Sequence, residues 1–205
     1  MKKIAMFWLV LIALQVPIGC DPDDCGDITA YYTTIVDMSI SVGIQENDIL
    51  TFSNLPDTLT TGSAVIRVRV DTVNYFAADR IIRGWGGAAI ACSPAEPEPT
   101  QRIKGMEIIA SRTLEANGVT YSSGQDLSFL FSVVNYSCGS LTQCGISDFV
   151  GSQNERSFIF GAEGEYLLLQ IQTALDTTFQ GTFQILLTLE DGTSFSMNTQ
   201  ELIMR

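Results

Sequence analysis

The sequence predicts an all-β domain, an antiparallel β-sandwich, immunoglobulin-like or similar, of about eight strands. Three observations predict it. From Ile28 onward, apolar and polar residues alternate with period two in run after run, the pattern of strands with one buried face. Turn clusters, among them Asn54-Leu55-Pro56-Asp57, Asn117-Gly118 and Asp191-Gly192, separate the runs. No convincing amphipathic helix lies between them.

The first residues stand apart from this pattern. Lys2 and Lys3 precede an unbroken apolar run from Ile4 to Leu14, too short to cross a bilayer and of the right length for the apolar centre of an export signal. The run ends at Val16-Pro17-Ile18-Gly19-Cys20. Small Gly19 directly before a cysteine resembles the lipobox of bacterial lipoproteins, from which Pro17 departs where Leu or Val is usual. The resemblance implies that residues 1–19 are a cleaved lipoprotein signal and that Cys20 carries the lipid. A cleaved secretory signal with an incidental cysteine is the competing reading. The organisation expected is thus 1–19 signal, 20–27 lipidated acidic tether and 28–205 a single sandwich domain. Each buried acyl methylene contributes about 0.8 kcal/mol, so a multiply acylated terminus anchors stably.

Loss of the leader removes two of the 11 basic side chains and none of the 23 acidic ones, which leaves 9 against 23, a net charge of −14. Such a surface repels phosphate backbones and anionic headgroups. Nucleic acid is excluded as an expected partner, and attachment to the membrane rests on the acyl chains. No later run approaches the roughly 18 apolar residues of a spanning helix.

After Cys20 come Asp21, Asp23, Asp24 and Asp27, a tether too polar to fold alone. Acidic residues at this place resemble the surface-export signal of lipoproteins from Bacteroidota, whereas in enteric bacteria an aspartate next to the cysteine directs retention in the inner membrane. For calcium, these carboxylates lack the spaced Asp and Gly of a known loop.

The first strand is read from Val36, Met38, Ile40 and Val42 alternating with Asp37, Ser39 and Ser41, and a short one covers Ile49 to Phe52. Ile66, Val68 and Val70 then alternate with Arg67, Arg69 and Asp71. Two arginines beside an aspartate suit an acidic ligand or, more simply, neighbouring carboxylates across the strands. Asn74 to Ala91 is the least regular stretch and holds Tyr75, Phe76 and Gly84-Trp85-Gly86-Gly87. Its glycines match no phosphate-loop spacing. Trp85 with Tyr75 and Phe76 either stacks on a sugar or peptide or packs into the core.

Ala88 to Cys92 reads as a strand, followed by a proline-rich extended crossing up to Pro99. Met106, Ile108 and Ala110 mark the next strand, and Leu127, Phe129, Phe131 and Val133 a strongly alternating one. Phe149 to Arg156 reads as a short helical or irregular excursion and Ser157 to Phe160 as an edge strand. Leu167, Leu169 and Ile171 form a strand, and Phe183 to Leu189 pairs through Asp191-Gly192 with the strand of Phe195 and Met197.

With Cys20 spent on lipid, Cys25, Cys92, Cys138 and Cys144 form an even set in an oxidising compartment, where two disulfides are expected. No Cys-x-x-Cys pair and no histidine exist to favour zinc, so neither metal nor cofactor is expected. Of three possible connectivities, the short flexible segment between Cys138 and Cys144 favours their pairing, which leaves Cys25 for Cys92.

Three stretches together, Cys25-Gly26-Asp27 after the lipobox, Ala91-Cys92-Ser93-Pro94 with Ile108-Ile109-Ala110-Ser111, and Leu189-Glu190-Asp191-Gly192-Thr193-Ser194-Phe195, resemble an uncharacterised family of Bacteroidota surface lipoproteins. The resemblance implies an outer-membrane, surface-exposed location and no particular activity. Without histidine, Ser-His-Asp and Cys-His nucleophile systems and histidine-bound zinc are excluded. Lys104 leaves a Ser-Lys dyad formally open, and paired acids for glycoside hydrolysis stay open too, with Glu163 and Glu165 read as solvated turn residues. The expectation is a non-catalytic envelope module that binds a glycan or an envelope protein, with a glycan module centred on Trp85 and a carboxylate-dependent glycoside hydrolase as alternatives.

Overall fold

The computed structural model describes residues 28–47, 49–82, 98–138, 144–155 and 160–205. The lipobox, Cys20, the tether, Cys25, Trp85, Cys92, the strand expected at Ala88 to Cys92 and most of that expected at Ser157 to Phe160 lie outside the described residues. The strands are β1 (Ile28–Glu46), β2 (Ile49–Thr51), β3 (Ala64–Ile82), β4 (Glu98–Pro99), β5 (Ile103–Ala110), β6 (Leu114–Ala116), β7 (Val119–Tyr121), β8 (Phe131–Val133) and β9 (Cys144–Gly145), then β10 (Tyr166–Ile171), β11 (Phe179–Gly181), β12 (Phe183–Leu189), β13 (Ser194–Asn198) and β14 (Leu202–Met204). Helix α1 (Ile146–Glu155) follows β9.

They form several antiparallel sheets. One has the order β2-β1-β3-β10-β8-β9, with β4 also on β1. Another runs β13-β12-β5, β11 pairs with β14, and β6 pairs with β7. Among the described residues no sheet closes into a barrel. Two compact units divide the chain. Residues 33–75 and 98–205 make the larger, and 28–32 with 76–82 are the described part of the smaller. In the smaller, the Tyr32 and Phe76 rings lie 5.7 Å apart, tilted by 50°.

Alternation builds the core of the larger unit, because successive strand residues leave on opposite faces. Ile66, Val68 and Val70 of β3, Leu167, Leu169 and Ile171 of β10, and Phe183, Ile185, Leu187 and Leu189 of β12 are all buried. Register places apolar residues opposite one another: Leu169 faces Ile66 and Val133, and Ile185 faces Ile108 and Met197. The sheets share one apolar cluster, in which the Phe183 ring meets Phe131 of β8 edge-on at 5.5 Å and stacks on Phe179 of β11 at 4.8 Å.

The strands β11 to β14 are one long bent hairpin. Gly181 pairs with Leu202 but Gln184 with Asn198, so the return strand carries one extra residue, a β-bulge. Two hydroxyls seal the bend: Thr199 Oγ1 accepts the Phe183 N–H at 2.9 Å, and Ser111 Oγ accepts the Thr182 N–H at 2.8 Å. A Cβ at Gly181 would stand 2.8 Å from Ser111 Oγ and 2.9 Å from the Phe179 ring, so the bend requires glycine there.

Several expectations are corrected. Alternation in β1 changes phase at Val36, which is 47% exposed while Ile35 and Met38 are buried. The Met38 N–H turns to the Asp37 carboxylate, an interaction local to the phase change. Asn74 to Ile82 is regular strand, the continuation of β3. Leu127 to Val133 is not one strand. Asp126 accepts the Ser128 N–H and Oγ and the Ile108 N–H, which starts a 3-10 turn at Ser128–Leu130 and leaves Phe129 exposed. A short side-chain carboxylate outcompetes the ladder here. At the Asp191-Gly192 hairpin only Gly192 has positive φ, 89°, and the loop is the three-residue form with a left-handed glycine. Asn117 and Gly118, both positive, make the tight two-residue turn between β6 and β7.

Candidate functional site

Of the cysteines, Cys138 and Cys144 are disulfide-bonded, with Cα atoms 5.5 Å apart. Cys144 sits on β9, opposite Val133, fully buried. Loop-closure entropy limits the stabilisation from so short a ring to about 2 kcal/mol.

Beside this ring lies a carboxylate-centred brace. Glu165 accepts the Tyr136 hydroxyl at 2.6 Å and the N–H groups of Gly161 and Ala162 at 2.8 and 3.0 Å. The Tyr136 ring in turn tilts against Phe149 of α1 at 5.4 Å. Glu165 is therefore not a solvated turn residue but the acceptor that closes the 161–165 turn. Glu163 takes the Tyr75 hydroxyl at 3.1 Å on the exposed side, and that bond holds the phenol above its ordinary pKa. Burial first, then the hydrogen bond and charge of Glu165, pushes the Tyr136 hydroxyl well above 10.0. A group raised on folding stabilises below its unfolded pKa and loses that contribution as pH climbs past it. The expected outcome is an alkaline fall in stability beginning near pH 10.0 that Tyr136→Phe reduces, read from urea midpoints at pH 8 and pH 11, about three units apart.

Other acids also hold backbone. Asp191 accepts the Thr193 N–H and Gln101 Nε2, and Asp176 accepts the Gly118 N–H. The Thr193 bond, then Gln101, lowers the Asp191 carboxyl below its usual value.

Of the expected stacking residues, Tyr75 is 55% and Phe76 43% exposed. They are successive residues of β3.

The outer face of the large sheet holds the arginines. Arg69 Nε is 3.7 Å from Asp71 Oδ1, an ion pair in the exposed range that contributes about 0–1 kcal/mol. Arg67 pairs with no carboxylate among the described residues. Its Nε donates to Ser41 Oγ at 2.9 Å, and its guanidinium carbon lies 3.9 Å over the centre of the Phe52 ring. Gly43 allows this, since a Cβ there would stand 2.6 Å from the Phe52 ring and 2.7 Å from the Thr51 carbonyl oxygen. The stack contributes about 0.5–1 kcal/mol. Residues 41, 43, 52 and 67 come together through pairing of β1 with β2 and β3, for which no local pattern in the chain gives a signal.

On the outward face of β5, β12 and β13, Ile109, Ser111, Ser123, Thr182, Gln184 and Asn198 line an open groove of about 190 Å³. Gln184 Nε2 donates to Ser196 Oγ at 2.9 Å, and Ser123 Oγ to the Ser111 carbonyl at 2.8 Å. Hydroxyls and amides line it together with the apolar Ile109 and Ala110, and none of its side chains is ionisable. Among the described residues no cluster of His, Cys, Asp or Glu is arranged to hold a metal, and no helix is long and apolar enough to cross a membrane.

Fold and sites define a β-rich domain with a disulfide-closed loop, whose engaged carboxylates brace its turns. No family model matches the chain, and no curated protein sequence matches it.

Proposed function

We propose that this chain is a lipid-anchored, non-catalytic binding module of the bacterial outer membrane, displayed at the cell surface, with a sandwich of immunoglobulin-like type as its domain. The anchor and address rest on the leader, Cys20 and the acidic tether, and on the resemblance to Bacteroidota surface lipoproteins. The sandwich reading is supported by the apolar cluster that β8 and β10 share with β5 and β12.

The observation that carries the binding reading is the neutral groove on the β5-β12-β13 face. Outward side chains opposite one another, Gln184 with Asn198 and Thr188 with Ser194, present amides and hydroxyls on a flat surface. Such groups meet sugar hydroxyls or an extended backbone at little desolvation cost. A glycan is the ligand the groove favours. Asp126, Glu165 and Asp191 are engaged by backbone N–H groups, which speaks against these three as a catalytic pair of acids.

Cys20→Ser tests the anchor. The variant is expected in the soluble envelope fraction or the medium, and a protein that still sediments with membranes would remove Cys20 as the attachment point. Protease added to whole cells is expected to digest the wild type. Full protection would place it inside the envelope.

A further inference from the structure

We infer that Arg67, with Arg69, forms a carboxylate-binding subsite for an acidic polysaccharide on the outer face of the large sheet; this rests on the binding-module reading above. Arg67 is held on two sides. The Phe52 ring lies under its plane at 3.9 Å, and Ser41 fixes Nε at 2.9 Å. These contacts orient the guanidinium and leave its two terminal nitrogens unengaged among the described residues. A planar fork held in this way meets a carboxylate through two parallel N–H···O bonds, and its orientation is set before the ligand arrives.

Arg69 stands two residues along the same strand, about 7 Å away, on the same face. Its one-point contact with Asp71 is exposed and exchangeable. Two cations at that spacing suit a polymer that repeats its charge. The half-buried Ser41 adds a hydroxyl directly beside Arg67 on the β1 side, which suits a sugar hydroxyl next to the carboxylate. The net acidity of the chain opposes any polyanion, but at physiological salt only charges within about 8 Å count. Arg69 already pairs with Asp71 of its own strand, and Arg67 pairs with no carboxylate among the described residues. The groove on the other sheet holds no cation, so the two surfaces sort by ligand charge.

The test uses the mature chain as a soluble protein, with polygalacturonate, neutral dextran and poly-glutamate as probes in titration calorimetry. Polygalacturonate is expected to bind, and to weaken as salt rises. Arg67→Gln is expected to lose at least about tenfold in affinity, the scale of one charge-assisted hydrogen bond. Arg67→Lys, which keeps the charge but not the fork or the stack, is expected to lose nearly as much. Arg69→Gln, at an exposed position without packing, is expected to lose less and to melt as the wild type does, which guards against a folding artefact. Full rescue by Lys would reduce Arg67 to a point charge and overturn the fork. Equal binding of poly-glutamate would overturn the sugar assignment. Binding of dextran but not of polygalacturonate would sink this subsite and leave the binding-module reading standing.

Discussion

Phe183→Ala is expected to remove about 3–5 kcal/mol of stability, the range for emptying a fully buried aromatic site. The ring is fully buried on β12 and touches both sides of the shared core, Phe131 edge-on and Phe179 in a stack. Its backbone is pinned as well, with the N–H on Thr199 Oγ1 and the carbonyl on the Thr199 N–H. The strand therefore has little freedom to collapse into the space left behind. Set against a total of about 5–15 kcal/mol for an ordinary domain, the loss leaves the variant marginal at best. Urea midpoints of wild type and variant at constant slope check it. A loss under about 1 kcal/mol would mean that Phe131 and Phe179 repack into the site.

Glu165→Ala is the second large effect, about 2–4 kcal/mol. One carboxylate satisfies the half-buried Tyr136 hydroxyl and two backbone N–H groups of the 161–165 turn, and alanine leaves all three without their acceptor. Glu165→Gln retains an acceptor oxygen and is expected to fall between. Glu163→Ala, two residues away but exposed and bonded among the described residues to the Tyr75 hydroxyl alone, is expected to change stability by less than about 0.5 kcal/mol. Equal effects of the two alanine variants would show that the hydrogen bonds of Glu165 contribute no more than the single exposed bond of Glu163. The Glu165→Ala variant should also lose part of the alkaline sensitivity that Tyr136 confers, because the hydrogen bond and charge of Glu165 are gone while burial, the first cause, remains.

Much of the strand pattern was legible in the sequence because burial of one face dictates period two. Ile66, Val68 and Val70, then Leu167, Leu169 and Ile171, then Phe183, Ile185, Leu187 and Leu189 are all buried in one apolar cluster, as alternation requires. The bond between Cys138 and Cys144 was legible too, since six residues of separation bring two chain positions together without help from the fold. Where local chemistry competed with alternation, the pattern misled. Asp126 drew the Ser128 and Ile108 N–H groups to itself and turned Ser128 to Leu130 out of the ladder, although the residues alternate through it. The phase change at Val36 is of the same kind, since period two says nothing about where a strand slips.

The candidate sites divide along the same line. The sequence by itself determined the acidity and the absence of histidine, because these are properties of residue content. Only the tertiary structure decided which residues meet. Arg67 finds Phe52 through a space that Gly43 leaves empty, Glu165 finds Tyr136 across 29 positions, and Gln184 faces Asn198 only because a hairpin returns in that register. Side chains so far apart in the chain carry no mutual signal in one sequence; strand pairing brings them together.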